Sequence, residues 1–194
     1  MVLGDVGLRA VIAKASIRPV ISKQSGKIAL LSAPRLWMQS ERCAMGACYL
    51  AAAHHANPYE AFLAGLVKNL GMTVCLRLID LIHKGPELLV TPAFCQKVMV
   101  HALQFSMWAA RIWRLPDAIV AALQEMYELT SLKLVHTTLT QSALGHTLLM
   151  GDLLSKVALL NANGHLSEHD LYAADFSHNE LDCYSADSNM KCNA

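Results

Sequence analysis

Apolar residues along this chain recur at spacings of three and four, and no stretch alternates with a period of two and β-branched enrichment, so the pattern predicts an all-α protein. A first helix is predicted near residues 4–15, ending before Pro19, and the segment from Ser22 to Pro34, with Gly26 inside it, reads as a loop. From Pro34 to Ala56 the stripe Leu36, Ser40, Cys43, Ala44, Ala47, Cys48 and Ala51 is made mostly of small side chains, which let another helix approach closely. Asn57 and Pro58 form an N-cap and first-turn pair for a helix that turns Phe62, Leu63, Leu66 and Val67 inward. Gly71 should interrupt that helix, and Val74, Cys75, Leu78, Ile79 and Ile82 then resume a buried stripe as far as Gly85-Pro86.

Between Thr91 and Trp113, the residues Phe94, Val98, His101, Phe105, Trp108 and Ile112 fall at alternating spacings of four and three and predict the buried face of a long helix. Leu115-Pro116 turns the chain into a helix bearing Ile119, Val120 and Leu123. A last long helix, about 140–160, buries Leu144, Leu148 and Leu159, and Asn161-Ala162-Asn163-Gly164 ends it. The expected organisation is one helical domain over residues 1–165, followed by a short Ser167-capped helical turn and a frayed polar end within 166–194.

Composition narrows the function classes. At 194 residues the chain can bury one ordinary core, and its 54% hydrophobic and 16% charged residues contain no uninterrupted apolar run of spanning length. The start Met1-Val2-Leu3-Gly4-Asp5 lacks the basic and apolar regions of a secretory signal, which predicts a cytoplasmic protein without a membrane partner. None of the six cysteines stands in a Cys-x-x-Cys pair, so they are read as structural thiols. A net charge of +1 gives no field for nucleic acid, and Arg9, Lys14, Arg18, Lys23 and Lys27 read as a solvated face.

Four segments carry a family resemblance. Arg35-Leu36-Trp37-Met38-Gln39-Ser40-Glu41-Arg42-Cys43-Ala44, Gly65-Leu66-Val67-Lys68-Asn69-Leu70-Gly71, Trp113-Arg114-Leu115-Pro116-Asp117-Ala118-Ile119, and Leu3-Gly4 followed by Leu8-Arg9 stand in the order of four HDOD motifs. The chain therefore resembles the HDOD family, the HD-related output domains of bacterial signalling proteins, over about residues 3–160. The resemblance implies an HD-superfamily helical bundle in which Trp37, Gly65, Leu66, Gly71, Trp113 and Pro116 are structural. Family members usually carry several helices ahead of the Leu3-Gly4 segment, so the surface those helices would cover is expected to be apolar and to lead to self-association or a protein partner.

In catalytic HD proteins a His, a His-Asp pair and a later Asp converge on divalent metal, because a cation that activates water needs imidazole nitrogen and anionic oxygen. The resemblance maps these positions onto Gln39, Lys68-Asn69 and Asp152. One carboxylate beside an ammonium offsets none of a dication's charge, and amides are weak ligands alone. The expectation is a dismantled site with no catalytic residue, no metal and no cofactor, in which the Lys68 ammonium replaces the metal by pairing with Asp152 and bonding to Gln39. A solvated Lys68 at a helix end is the plainer alternative.

The other histidines read as structural: His101 as a core imidazole, His54-His55 as a helix-end pair, and His136, His146, His165, His169 and His178 as sharing no face. Trp108 and Trp113 could stack a purine, but spacing makes the first core and the resemblance makes the second a corner. The sequence thus points to a non-catalytic signalling domain that works by protein contact. Its rivals are a divergent phosphohydrolase using Asp152 with His101 or His146, and a nucleotide sensor built on the old cleft.

Overall fold

A computed structural model gives residues 5–23, 26–83, 85, 88–132 and 141–162, and all regular secondary structure among them is helical. The helices are α1 (Asp5–Ser22), α2 (Lys27–Leu50), α3 (Pro58–Val67), α4 (Leu70–Ile82), α5 (Pro92–Ile112), α6 (Asp117–Ser131) and α7 (Ala143–Ala162). The proposed boundary at residue 165, the Ser167 turn, the Leu3-Gly4 segment, Cys183, Cys192 and the histidines at 136, 165, 169 and 178 lie outside the described residues.

α2 is the axis, with α1, α3, α4 and α7 packed around it, while α5 bridges α4 and α6. Its small-residue stripe explains this. Ser40, Cys43, Ala44, Ala47 and Ala51 are buried, and two glycines on the neighbours let backbones close on them. A Cβ at Gly65 of α3 would sit 2.7 Å from the backbone nitrogen of Ala44, and one at Gly151 of α7 would sit 2.7 Å from that of Ala47.

Both ends of the predicted first loop are corrected. α1 runs through Pro19 to Ser22, held by the buried Ile17 and Ile21, so loss of one backbone donor at Pro19 bends no boundary into place. α2 begins at Lys27 and carries Pro34 inside it, because its first amides are capped from afar: Asp80 of α4 accepts from the backbone N–H groups of Ile28 and Ala29 at 2.9 and 2.8 Å. At its other end α2 stops at Leu50 and not at Ala56, and a turn with His55 at φ 56° delivers the chain to Asn57. There the local reading holds, since the Asn57 side chain accepts from the N–H groups of Tyr59 and Glu60 at 2.9 and 3.3 Å.

The apolar faces of α4 and α5 also differ from the prediction. Of the α4 stripe only Cys75 is buried, and Val74, Leu78 and Ile82 are exposed. On α5 the buried side chains are Ala102, Leu103, Ser106, Met107 and Ala110, so His101, Trp108 and Ile112 stand on the opposite, outer face. α5 is apolar nearly all round, and spacing alone does not choose which side turns inward. Two stretches, Pro58–Ile82 and Ala143–Ala162, are long and apolar enough to cross a bilayer, yet 67% and 50% of their most apolar windows are buried in the bundle, as in core helices.

Candidate functional site

The site is built on a break in a helix. α3 and α4 would form one rod but for Lys68 and Asn69, and the break falls there, just ahead of the expected interruption at Gly71. Gly71 lies within the first turn of α4, where a Cβ would overlap the carbonyl oxygen of Ala102 on α5. The backbone groups freed by the break find one partner, the buried hydroxyl of Ser106 on α5. It accepts from the Gly71 N–H at 2.9 Å and donates to the Lys68 carbonyl at 2.7 Å. An orphaned N–H and an orphaned carbonyl are satisfied together.

This joint aims Lys68 inward. Its ammonium is 2.6 Å from Asp152 Oδ1, with the two side chains 8% and 2% exposed. Lys156, one turn along α7, reaches the other carboxylate oxygen at 2.7 Å. The Lys68 ammonium also lies 3.5 Å from Asn69 Oδ1, Asn69 Nδ2 donates to Ser40 Oγ at 3.2 Å, and Ser40 donates to the Leu36 carbonyl at 2.9 Å. A continuous polar strip thus links α2, the α3/α4 break and α7. Gln39 faces the same cleft, but among the described residues no hydrogen bond joins it to Lys68, contrary to expectation. Asn69, adjacent in sequence, occupies the second place on the ammonium.

Electrostatics fix the protonation states. Burial would push the Lys68 ammonium down, but the Asp152 charge beside it outweighs that and holds it above its ordinary value. Burial would likewise raise Asp152, and Lys68 and Lys156 together hold its carboxyl below the usual range. The neighbouring Cys43 thiol is fully buried and is pushed up to about 12, first by burial and then by Asp152, so it stays protonated and inert.

Above this strip opens a cleft of about 930 Å3, with Gln39, Lys68, Asn69, Asp152 and Lys156 at its polar end and Met72, Met99, Met126 and several leucines along its walls. The donor set does not fit a dication: the one carboxylate already holds two ammonium groups, and the other expected positions offer amides. Among the described residues no three His, Cys, Asp or Glu side chains are placed to share an ion. His101 is on the outer face of α5, bonded through Nδ1 to Gln104 Oε1 at 3.0 Å, and neither it nor His146 lines the cleft. His146, read as sharing no face with four other histidines, meets a helix-end one: His54 and His146 stack edge to face at 4.6 Å, with His54 Nδ1 3.1 Å from Thr147 Oγ1. They are too far apart in sequence for spacing to have paired them.

None of the remaining motif residues lines the cleft. Gly65 and Leu66 are buried, Trp37 lies partly buried with the Arg18 guanidinium 6.0 Å over its ring, and Pro116 is the N-cap of α6. Trp113 closes α5 through its backbone N–H to the Ala109 carbonyl, and the residue is 44% exposed.

The family model of the HDOD domain matches residues 1–129. The chain belongs to the HDOD family. No curated protein and no solved structure was found to match it. HDOD domains are signalling-associated relatives of HD proteins, and the all-α bundle agrees with that fold. The HDOD match takes in Gln39, Lys68, Asn69, Trp37, Gly65, Leu66, Gly71, Trp113 and Pro116, whereas α7 and Asp152 lie beyond it.

Proposed function

We propose that this chain is a non-catalytic regulatory domain of bacterial signalling that acts through contact with other proteins. The observation that carries this reading is the buried Lys68 to Asp152 ion pair at the polar end of the cleft. An ammonium fixed by a carboxylate gives the helices a permanent tie, and it supplies neither an open cation position nor an activated water. Membership of a signalling-associated family and the apolar outer face of α5 support the contact role.

The test is elemental analysis of the full chain expressed with added manganese, iron and zinc, together with turnover of a chromogenic phosphodiester. Substoichiometric metal and no turnover are expected. One equivalent of tightly held transition metal with turnover would overturn the reading and move the phosphohydrolase alternative to the front. The methionine-walled cleft favours a second reading, a small-molecule sensor within the same regulatory role. A thermal shift with cyclic nucleotides that is abolished by Lys156→Ala would support it.

A further inference from the structure

The outer face of α5 carries Phe94, Val98, His101, Phe105, Trp108 and Ile112, spaced four, three, four, three and four residues apart. That alternation is the 3.5-residue spacing of a seam along which two helices pack with a slight left-handed supercoil. On a helix the seam lies opposite the core: the side chains turned inward are Ala102, Leu103, Ser106, Met107 and Ala110. His101 is exposed, Trp108 is 53% and Ile112 77% exposed, and Phe94, Val98 and Phe105 are partly covered. The Phe105 and Trp108 rings stack edge to face at 5.5 Å, which presets an aromatic ridge at the middle of the seam.

Charge indicates which helix fits. With Val98, Phe105 and Ile112 as one set of seam positions, the residues preceding each are Lys97, Gln104 and Arg111, a row repeating every seven along one edge. Lys97 and Arg111 are exposed and make no ion pair among the described residues, and the chain has no Asp or Glu from Leu88 to Pro116. The other edge, at Cys95, Ala102 and Ala109, is uncharged and lies toward α4, whose Gly71 touches Ala102. Two copies of α5 packed antiparallel through this seam would set Lys97 against Arg111 of the other copy, a repulsive pairing. An acidic flank would meet both cations.

We infer that the outer seam of α5 is the docking surface for an amphipathic helix of another protein, one with a heptad apolar stripe flanked by Glu or Asp. This rests on the contact role proposed above and names its partner chemistry. The seam spans about 30 Å at 1.5 Å per residue, long enough for about three heptads of partner. His101 at the centre is the polar seam position that fixes register, held in place by Gln104, whose amide in turn donates to the Tyr127 hydroxyl at 3.0 Å.

The experiment uses the full chain and two synthetic helical peptides of about three heptads, with Leu and Ile on the seam and either Glu or Lys at every flanking position. Binding is followed by fluorescence anisotropy of labelled peptide. The Glu peptide is expected to bind at least about tenfold tighter than the Lys peptide, and the double variant Lys97→Glu/Arg111→Glu is expected to reverse the order. Trp108→Ser should abolish both while leaving the far-ultraviolet circular dichroism unchanged. Equal binding of the two peptides, or a preference untouched by the charge reversal, would overturn the inference.

Two other occupants are resolved by the same samples. A dimer in light scattering that Trp108→Ser dissolves would assign the seam to a second copy of this chain. Residues 163–194 hold Glu168, Asp170, Asp175, Glu180, Asp182 and Asp187 against one Lys191, so a carbodiimide cross-link from Lys97 to one of those acids within a monomer would assign it to that segment. Either result overturns the inference. Phosphodiester turnover would remove the non-catalytic reading and leave the peptide result to stand or fall by itself.

Discussion

The strip from Ser40 to Lys156 and the outer face of α5 are inversions of the same rule. One puts charges inside the bundle, and the other puts an aromatic and aliphatic ridge outside it. The inner inversion is settled within the chain, because each buried charge has a partner 2.6 or 2.7 Å away. The outer one has no such settlement among the described residues. The difference separates two kinds of evidence: substitutions in the strip should change stability, and those on the ridge should change association alone.

The sharpest break of that contrast is Asp152→Ala, which leaves the Lys68 ammonium buried without a counter-charge. A loss of about 3 to 5 kcal/mol in urea unfolding is expected. The pH profile gives an independent reading of the same pair. Asp152 is held below its ordinary 3.8, so its contribution is full above that pH and fades as pH falls through the folded value. Lys68 is held above 10.5, so its contribution is full below that pH and is lost as pH rises through the folded value. Between these limits the pair's contribution should be flat in a series of urea titrations. A decline near neutrality that Asp152→Ala removes would contradict it.

Ser106→Ala comes next, since it strands the Gly71 N–H and the Lys68 carbonyl together. About 2 to 3 kcal/mol is expected from thermal or urea unfolding. Asp80→Ala uncaps α2 and should cost about 1 to 2 kcal/mol, with hydrogen exchange speeding first at Ile28 and Ala29. Replacing the inner pair as a unit, Lys68→Met with Asp152→Leu, should lie within about 1 kcal/mol of the parent, because apolar side chains of similar volume need no counter-charge. A large loss in that double variant would mean that the strip fixes helix geometry by more than charge balance. The smallest effect belongs to the ridge: Trp108→Ser should shift stability by about 0.5 kcal/mol or less.

What the sequence made legible follows from distance along the chain. Asn57 and Pro58 announce α3 because cap and helix are neighbours, and the small side chains of α2 announce close packing without naming the partner. The start of α2 was hidden because its cap, Asp80, lies 52 and 51 residues from the amides it satisfies. The period of the α5 stripe was readable, but its direction was not, since the opposite side of that helix is apolar too and small enough at Ala102 and Ala110 to be the one that packs. The ion pair, across 84 residues, was one of two readings, beside a solvated Lys68, and it rested on the positions that the family resemblance assigned together with a charge argument. That argument named Gln39 as the third member, and the helix break gave the place to Asn69.

The Ser106 hydroxyl makes α5 a strut. Its seam faces outward, and its one buried serine grips the broken rod on both sides of the elbow, at Gly71 N–H and at the Lys68 carbonyl. Pushing α5 along its axis therefore loads the elbow directly, and the elbow carries the ammonium that braces α7. Behind the outer seam of α5 stands Ser106, and Ser106 holds the carbonyl of the residue whose ammonium pairs with Asp152.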